Sequence, residues 1–375
     1  MSAGHHILAP SSAARRNACT ASPRLEAAYP EAEESEASRE GTAAHWVSVE
    51  VWHGREVLAG VTAAPNGVIV TDEMIEGADL YVGHLRAIVG EHPIDAVHLE
   101  EPLRVDAIFE GLTGTPDFWF FRPAVIHVRD YKFGHGPVEV FENVQLMEYA
   151  AGIAQALGID GYAAQFVDVD FGIVQPRCFH PDGPIRRWRV CLADLRAHWN
   201  YSASRCAEAM GDAAVYTPGP HCKHCRGRHA CSSVQRGAYM AADLARDRPP
   251  VELPPAALGL ELHTLTRAAE VLEARISGLR AQALALAKGG AAVPGWAVER
   301  GPGRERWREG VEREVIALGD LLGKDVRKPD AIVTPKQARK LGIDGAVISA
   351  YSEKPLGDLK LVEDNATKAA RIFKP

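Results

Sequence analysis

The chain has 375 residues, of which 46% are hydrophobic and 24% charged, and carries a formal net charge of −7 at pH 7. That is enough apolar material for one large core or two moderate ones, and the acidic balance excludes a protein that coats nucleic acid without specificity. No run reaches the roughly 18 consecutive apolar residues of a membrane span. Arg15-Arg16 is followed by Asn17-Ala18-Cys19-Thr20 rather than the apolar stretch of an export signal, so a cytoplasmic protein without membrane attachment is expected.

The charge is uneven. Residues 251–375 hold 20 Lys+Arg against 17 Asp+Glu, whereas residues 1–250 hold 22 against 32. This unevenness does not by itself point to a nucleic-acid partner.

In chain order, an acid-rich stretch over 31–40 leads into Gly41-Thr42-Ala43-Ala44-His45, which opens a predicted helix to about Arg55. A second helix is expected from Thr71 to Val89, with Thr71 as N-cap and Asp72-Glu73 in its first turn. Short β-rich runs follow: Ala96–Ile108, Phe118–Arg122 and Val125–Phe133, punctuated by Gly111, Gly114-Thr115-Pro116 and Pro123. Helix returns over Glu142–Leu157 and stops at Gly158. Strands are expected at Tyr162–Val169, Gly172–Arg177 and Ile185–Cys191, then helix over Leu192–Met210. This order predicts an α/β core with a mixed central sheet flanked by helices. Proline and glycine clusters at 217–220, 248–250 and 254–255 bracket a cysteine-rich segment and place a boundary near 247. Residues 1–247 then form one domain, and 248–375 a mainly helical extension, with a mixed one as the alternative, that starts with a long helix over about Ala256–Lys288.

Three segments carry chemistry: Gly114-Thr115-Pro116-Asp117, Asp130-Tyr131-Lys132, and Gln145-Leu146-Met147-Glu148-Tyr149. Side chains alternate along a strand, so Asp130 and Lys132 point the same way. A tight hairpin brings Asp117 opposite Asp130. Two converging carboxylates suit a hard cation, Mg²⁺ or Mn²⁺, and the lysine beside them suits a developing negative charge. The competing reading is that Asp117 closes a turn and Asp130 and Lys132 form an exposed strand pair.

The cysteines form a second pattern. Cys222, Cys225 and Cys231 stand at C-x2-C-x5-C, a metal-site spacing, and Cys19 far upstream is the obvious fourth ligand. Iron–sulfur and zinc both fit; His221, His224 or His229 is a substitute ligand for zinc. Cys178, Cys191 and Cys206 fall in strand or helix patterns and read as small core residues.

The ordered acid, acid-x-Lys and helix arrangement resembles the PD-(D/E)XK nucleases. It resembles in particular the RecB-like branch, which adds Gly-Thr-x-x-His upstream and Gln-x-x-x-Tyr downstream; here these are Gly41 to His45, and Gln145 with Tyr149. The resemblance implies that His45, Asp117, Asp130 and the Tyr131 carbonyl bind Mg²⁺ or Mn²⁺. It implies that Lys132 is the catalytic lysine, and that Gln145 and Tyr149, one helical turn apart, contact that lysine or the DNA. The AddB-type members carry one cysteine before these motifs and three after, in this same spacing. That implies a [4Fe–4S] cluster on Cys19, Cys222, Cys225 and Cys231, stapling the first helix to the end of the nuclease domain.

The whole chain resembles nucleases of phage and prophage replication modules. This implies an exonuclease acting on linear double- or single-stranded DNA in replication or recombination, inside the bacterial host cytoplasm, with a single-strand-binding or annealing protein as a partner. In the tail, Arg304 and Trp307 lie in a run that interleaves basic and aromatic residues, a pattern that can contact DNA by charge and stacking, although a plain two-stranded or strand–helix surface element is the preferred reading. Two other classes stay open: a catalytically weak DNA-end-binding protein that keeps the nuclease fold, and a zinc-binding interaction protein in which the acids are incidental.

Overall fold

The computed structural model describes residues 6–29, 34–91, 96–244, 253–302, 306–308, 310–328, 331–353 and 356–363. The chain divides into two compact units, Met1–Gly278 and Leu279–Pro375, so the division falls inside the long helix rather than near 247.

The first unit opens with two short helices, α1 (Ala13–Ala18) and α2 (Ser22–Ala27), with Cys19 between them. Helices α3 (Glu36–Trp52) and α4 (Asp72–Val89) follow. Both have side-chain N-caps: Ser35 accepts from the Ser38 amide and Thr71 from the Met74 amide. The strands are β1 (Val97–Leu99), β2 (Leu103–Arg104), β3 (Thr113–Gly114), β4 (Phe118–Arg122) and β5 (Val125–Tyr131). Helix α5 (Val144–Leu157) carries an Asn143 cap and ends at Gly158, whose φ of 65° is the left-handed stop that glycine supplies without strain. Then come β6 (Asp168–Val174), β7 (Ile185–Cys191), α6 (Arg196–Met210), α7 (Ser232–Leu244) and α8 (Pro255–Lys288).

The central sheet has five strands in the order β1-β4-β5-β6-β7. The β5–β6 pair is parallel and its neighbours are antiparallel, so α5 serves as the crossover that a parallel pair requires. Alternation sorts β5 onto two cores. Ile126 and Val128 pack against Leu146, Met147 and Ala150 of α5. Tyr131 joins Phe118 and Phe120 against α3 and α4, through Val47, Ala78 and Tyr81. The sheet is therefore covered on both faces, and the expected mixed α/β core is present.

Two strand expectations need correction. Ala96–Ile108 is not one strand: β1 ends at Leu99, and Glu100 takes a φ of 51° that turns the chain before β2. Tyr162–Val169 and Gly172–Arg177 are not two strands either, because β6 runs unbroken through Asp170 and Gly172. A side chain at 172 would meet Cδ of Arg129 at 2.6 Å. That glycine admits a buried arginine and does not mark a break.

The second unit is mixed rather than mainly helical. Strand pairs β8 (Trp296–Pro302) with β13 (Leu356–Glu363), β9 (Arg306–Trp307) with β12 (Ser352–Glu353), and β10 (Arg327–Lys328) with β11 (Ala331–Ile332) accompany α9 (Glu312–Leu321), α10 (Pro335–Lys340) and α11 (Gly345–Tyr351). Val315, Val326, Ala338 and Ile348 form its core.

Candidate metal centres

The last registered pair of the β4–β5 hairpin is Phe118 with Arg129, so Asp117 stands one residue beyond it, level with Asp130. Both carboxylates are buried, at 8% and 2% exposure. The Tyr131 amide donates to Asp117 Oδ2 at 2.6 Å, and the Glu100 amide donates to the Asp117 carbonyl at 3.0 Å. Asp117 is thereby fixed at both its backbone and its side chain.

Helix α3 brings His45 in from the other side. Its Nδ1 lies 2.9 Å from Glu100 Oε1 and 3.8 Å from Asp117 Oδ2. His45, Glu100 and Asp117 offer ligand atoms within 4.8 Å of one another. Glu100 is a site residue that the sequence motifs do not mark; the only sign of it is an acid next to a strand end, which is too common to single out. A non-glycine residue at φ 51° is a strained backbone held by its surroundings, and here that conformation turns the carboxylate toward His45.

Asp130 lies beside this trio but outside the 4.8 Å grouping. Its Oδ1 accepts from Lys132 Nζ at 2.9 Å. The Lys132 amide donates to the Val174 carbonyl at 2.9 Å, which extends the β5–β6 pairing past Tyr131 and fixes the lysine's direction. On α5, Gln145 Nε2 donates to the Tyr149 hydroxyl at 3.0 Å. A side chain at Gly114 would meet Cε1 of Tyr149 at 2.7 Å, so the glycine just upstream of Asp117 makes room for this tyrosine. The sequence-derived residues His45, Asp117, Asp130, Lys132, Gln145 and Tyr149 thus converge from α3, β4, β5 and α5.

The electrostatics are those of a site with more acid than base. Burial pushes Asp130 up to about 6, against the pull of Lys132 and with a further push from Asp117. Burial also raises Asp117, against the attraction of His45. Burial alone would lower His45, but Asp117 and Glu100 outweigh it and raise the imidazole to about 9. Lys132 is likewise held charged, because Asp130 and Asp117 overcome its desolvation. Burial, with these same carboxylates nearby, lifts the Tyr149 hydroxyl above its usual value. In the protein alone, a proton on His45 offsets part of the carboxylate charge that a cation would balance. Three carboxylates and an imidazole form a donor set suited to Mg²⁺ or Mn²⁺.

The second site lies at the start and end of the first unit. Cys19, Cys222, Cys225 and Cys231 are 5–7% exposed and line one small cavity. Backbone amides point at the sulfurs: Thr217 N–H to Cys19 Sγ at 3.5 Å and Gly219 N–H to Cys222 Sγ at 3.4 Å. Burial raises the thiols of Cys19, Cys222 and Cys225, the last to about 12, so a metal must supply the charge that makes them thiolates. His221 Nε2 and His229 Nδ1 are engaged by the carbonyls of Thr217 and Arg226. Cys206 is fully buried in an apolar cluster beside Leu8 and Val105, Cys178 is also buried, and Cys191 is half-buried at the end of β7.

The tail residues are placed differently. Trp307 donates its indole N–H to the Val333 carbonyl at 2.8 Å and packs on the core of the second unit, so it is committed to structure rather than offered for stacking. Arg304 lies outside the described residues.

A family described as "Protein of unknown function (DUF2800)" matches residues 5–363. The chain belongs to this family. No curated protein sequence matches this DUF2800 chain. Among its described residues, no helix is long and apolar enough to cross a membrane.

Proposed function

We propose that this DUF2800 protein is a Mg²⁺- or Mn²⁺-dependent deoxyribonuclease of the RecB-like PD-(D/E)XK type, an exonuclease acting on linear DNA. The observation that carries this reading is the meeting of His45, Glu100 and Asp117 within 4.8 Å beside the Asp130–Lys132 pair. Together they join a hard-cation donor set to one charged amine. Residues of the required types also stand on the elements the resemblance implies: the acid before one strand, acid-x-Lys on the next, and His and Gln-x-x-x-Tyr on helices either side of the sheet.

His45, Glu100, Asp117 and Asp130 would hold the cation. When bound, it would supply charge neutralisation at the scissile phosphate and activation of a water nucleophile. The chain's own residues do the rest. The Tyr131 amide and the β1 end orient Asp117 before any ligand arrives. Asp130 aims Lys132, whose charge survives burial and would sit against the phosphate as negative charge develops. Gln145 fixes the Tyr149 hydroxyl on the same side, where it would position the lysine or a phosphate oxygen.

We further propose a [4Fe–4S] cluster on Cys19, Cys222, Cys225 and Cys231. Four buried sulfurs around one cavity support a metal centre there, and the C-x2-C-x5-C spacing with one upstream cysteine is that of the cluster-bearing nucleases the chain resembles. It would act as a staple, closing a loop of about 200 residues between α1 and the end of the unit.

The test is degradation of end-labelled linear DNA and covalently closed circular DNA by anaerobically purified protein. Linear DNA is expected to be shortened in the presence of Mg²⁺ or Mn²⁺ and spared under chelation, with the circle resistant. Protein with full metal occupancy that degrades neither substrate would refute the assignment.

A further inference from the structure

Tyr81 of α4 is 1% exposed, yet its hydroxyl has no hydrogen-bond partner among the described residues. A buried hydroxyl left unpaired is costly, and phenylalanine would fill the same core position without that cost. Ring geometry shows where the oxygen points. Tyr131, the last residue of β5, brings its own hydroxyl against α4, where a side chain at Gly77 would meet it at 2.6 Å. Tyr81, one turn further along α4, lies almost flat on that ring, with centroids 4.7 Å apart and planes at 14°. The two rings cross the same gap from opposite sides. The Tyr81 hydroxyl therefore points away from α4, toward the end of β5 where Asp117 and Asp130 stand. Its electrostatics agree: burial raises the phenol well above its usual value, Asp117, Glu100 and Asp130 raise it further, and Arg129 opposes them. The oxygen thus faces three carboxylates of the cation site and bonds to none of them. Polar groups that face one another beyond bonding distance are commonly bridged by a water.

We infer that this site takes its cation with a water of hydration attached, and that the Tyr81 hydroxyl hydrogen-bonds that water. The inference rests on the cation site proposed above and adds to it a residue that no sequence motif marks. A phenol both donates and accepts, so it meets a water in either sense, whereas a carboxylate-only wall would offer acceptors alone. The cation class favours the arrangement, because Mg²⁺ gives up its waters reluctantly and keeps several when a few carboxylates hold it. Tyr81 is then a positioning residue, acting through the water and not as a ligand. Its stacking on Tyr131 fixes the ring, and so fixes where the water is held.

Mn²⁺ titration of the full chain without DNA, as wild type and as Tyr81→Phe, tests this together with thermal melting of both in metal-free form. Tyr81→Phe keeps the stacked ring and removes only the oxygen. It is expected to melt close to the wild type without metal and to bind Mn²⁺ about three- to tenfold more weakly, the worth of about one hydrogen bond. In ¹⁷O-labelled water, the spin resonance of Mn²⁺ bound to the wild type should broaden, which reports a water on the ion. Absence of that broadening overturns the inference. Equal Mn²⁺ affinity in Tyr81→Phe and wild type overturns it as well, whether or not the variant melts lower, because the oxygen would then serve the fold alone; the cation site itself would stand. A wild type that binds no Mn²⁺ overturns the cation site and this role of Tyr81 with it.

Discussion

Arg16 of α1 and Glu148 of α5 form an ion pair with no solvent exposure on either side chain. Glu148 sits between Gln145 and Tyr149 in sequence, and α1 leads directly into Cys19. One buried contact therefore ties the helix bearing two site residues to the segment bearing the first cysteine. Burial raises the Glu148 carboxyl, and the guanidinium opposes that rise.

Removing one partner leaves an uncompensated buried charge. Arg16→Met is expected to cost about 3–5 kcal/mol, whereas Arg16→Met/Glu148→Leu should recover most of that loss. Chemical denaturation of both variants checks this. A double variant no more stable than the single one would mean that the pair does more than neutralise itself.

The cysteine set predicts a separation between ligand and core positions. Protein purified without oxygen should be brown and contain iron, with the broad visible absorbance of iron–sulfur centres. Cys19→Ser should lose iron and loosen α1, detected by faster amide exchange over residues 13–27. Cys206→Ser should keep its iron, although a hydroxyl in that apolar cluster will cost some stability. Equal iron in Cys19→Ser and wild type would place the fourth ligand elsewhere.

Much of this was legible in the sequence, for identifiable reasons. Asp117, Asp130 and Lys132 sit at spacings that strand alternation makes meaningful. Gln145 and Tyr149 are one helical turn apart, and three of the cysteines have metal-site spacing. Contacts that join distant segments without a fixed offset were not legible. Glu100 reaches His45 only because the chain reverses at a left-handed residue, which no local pattern announces. Arg16 reads as a surface residue because its partner lies 132 positions away. Asp170 and Gly172 look like strand breakers, yet Asp170 accepts from buried Arg129 at 2.6 Å and from Arg187 at 2.7 Å. A carboxylate with two arginine partners can remain in a central strand.

Glu100 provides a pH-dependent test. His45 is raised from 6.5 to about 9, so its protonation contributes stability that is present below the ordinary imidazole value and lost as pH rises through about 9. Asp130 is raised from 3.8 to about 6. Folding therefore takes up a proton between those values, and stability falls across that interval as pH rises. In both cases metal-free protein loses stability with rising pH. Cation binding requires the same groups unprotonated, so the melting-temperature gain on adding Mn²⁺ should be larger at about pH 8 than at about pH 5. Glu100→Gln keeps the shape but removes the charge, and should weaken Mn²⁺ binding at least about tenfold. A metal-induced gain that is independent of pH and unchanged in Glu100→Gln would exclude this trio as the cation site.

Lys132 separates binding from chemistry. Its ammonium donates to Asp130, so Lys132→Ala should leave His45, Glu100 and Asp117 in place and disturb the site only at Asp130. The change removes one positive charge from beside the phosphate and takes from Asp130 the ammonium it pairs with. Loss of a single preorganised electrostatic contact of this kind commonly costs about 10²–10³ in rate. DNA affinity should change little, because contacts to the phosphate backbone are spread over a surface and one amine is a small share of them. Asp117→Ala differs, since it removes a carboxylate from the cation and should abolish Mn²⁺ binding together with turnover. The measurements are single-turnover cleavage of linear DNA, DNA binding in Ca²⁺ and Mn²⁺ titration for each variant. Lys132→Ala that binds DNA and Mn²⁺ normally but cleaves at least about a hundredfold more slowly is the expected result. Wild-type cleavage by Lys132→Ala would remove the lysine from the mechanism and, with it, the PD-(D/E)XK reading of this site.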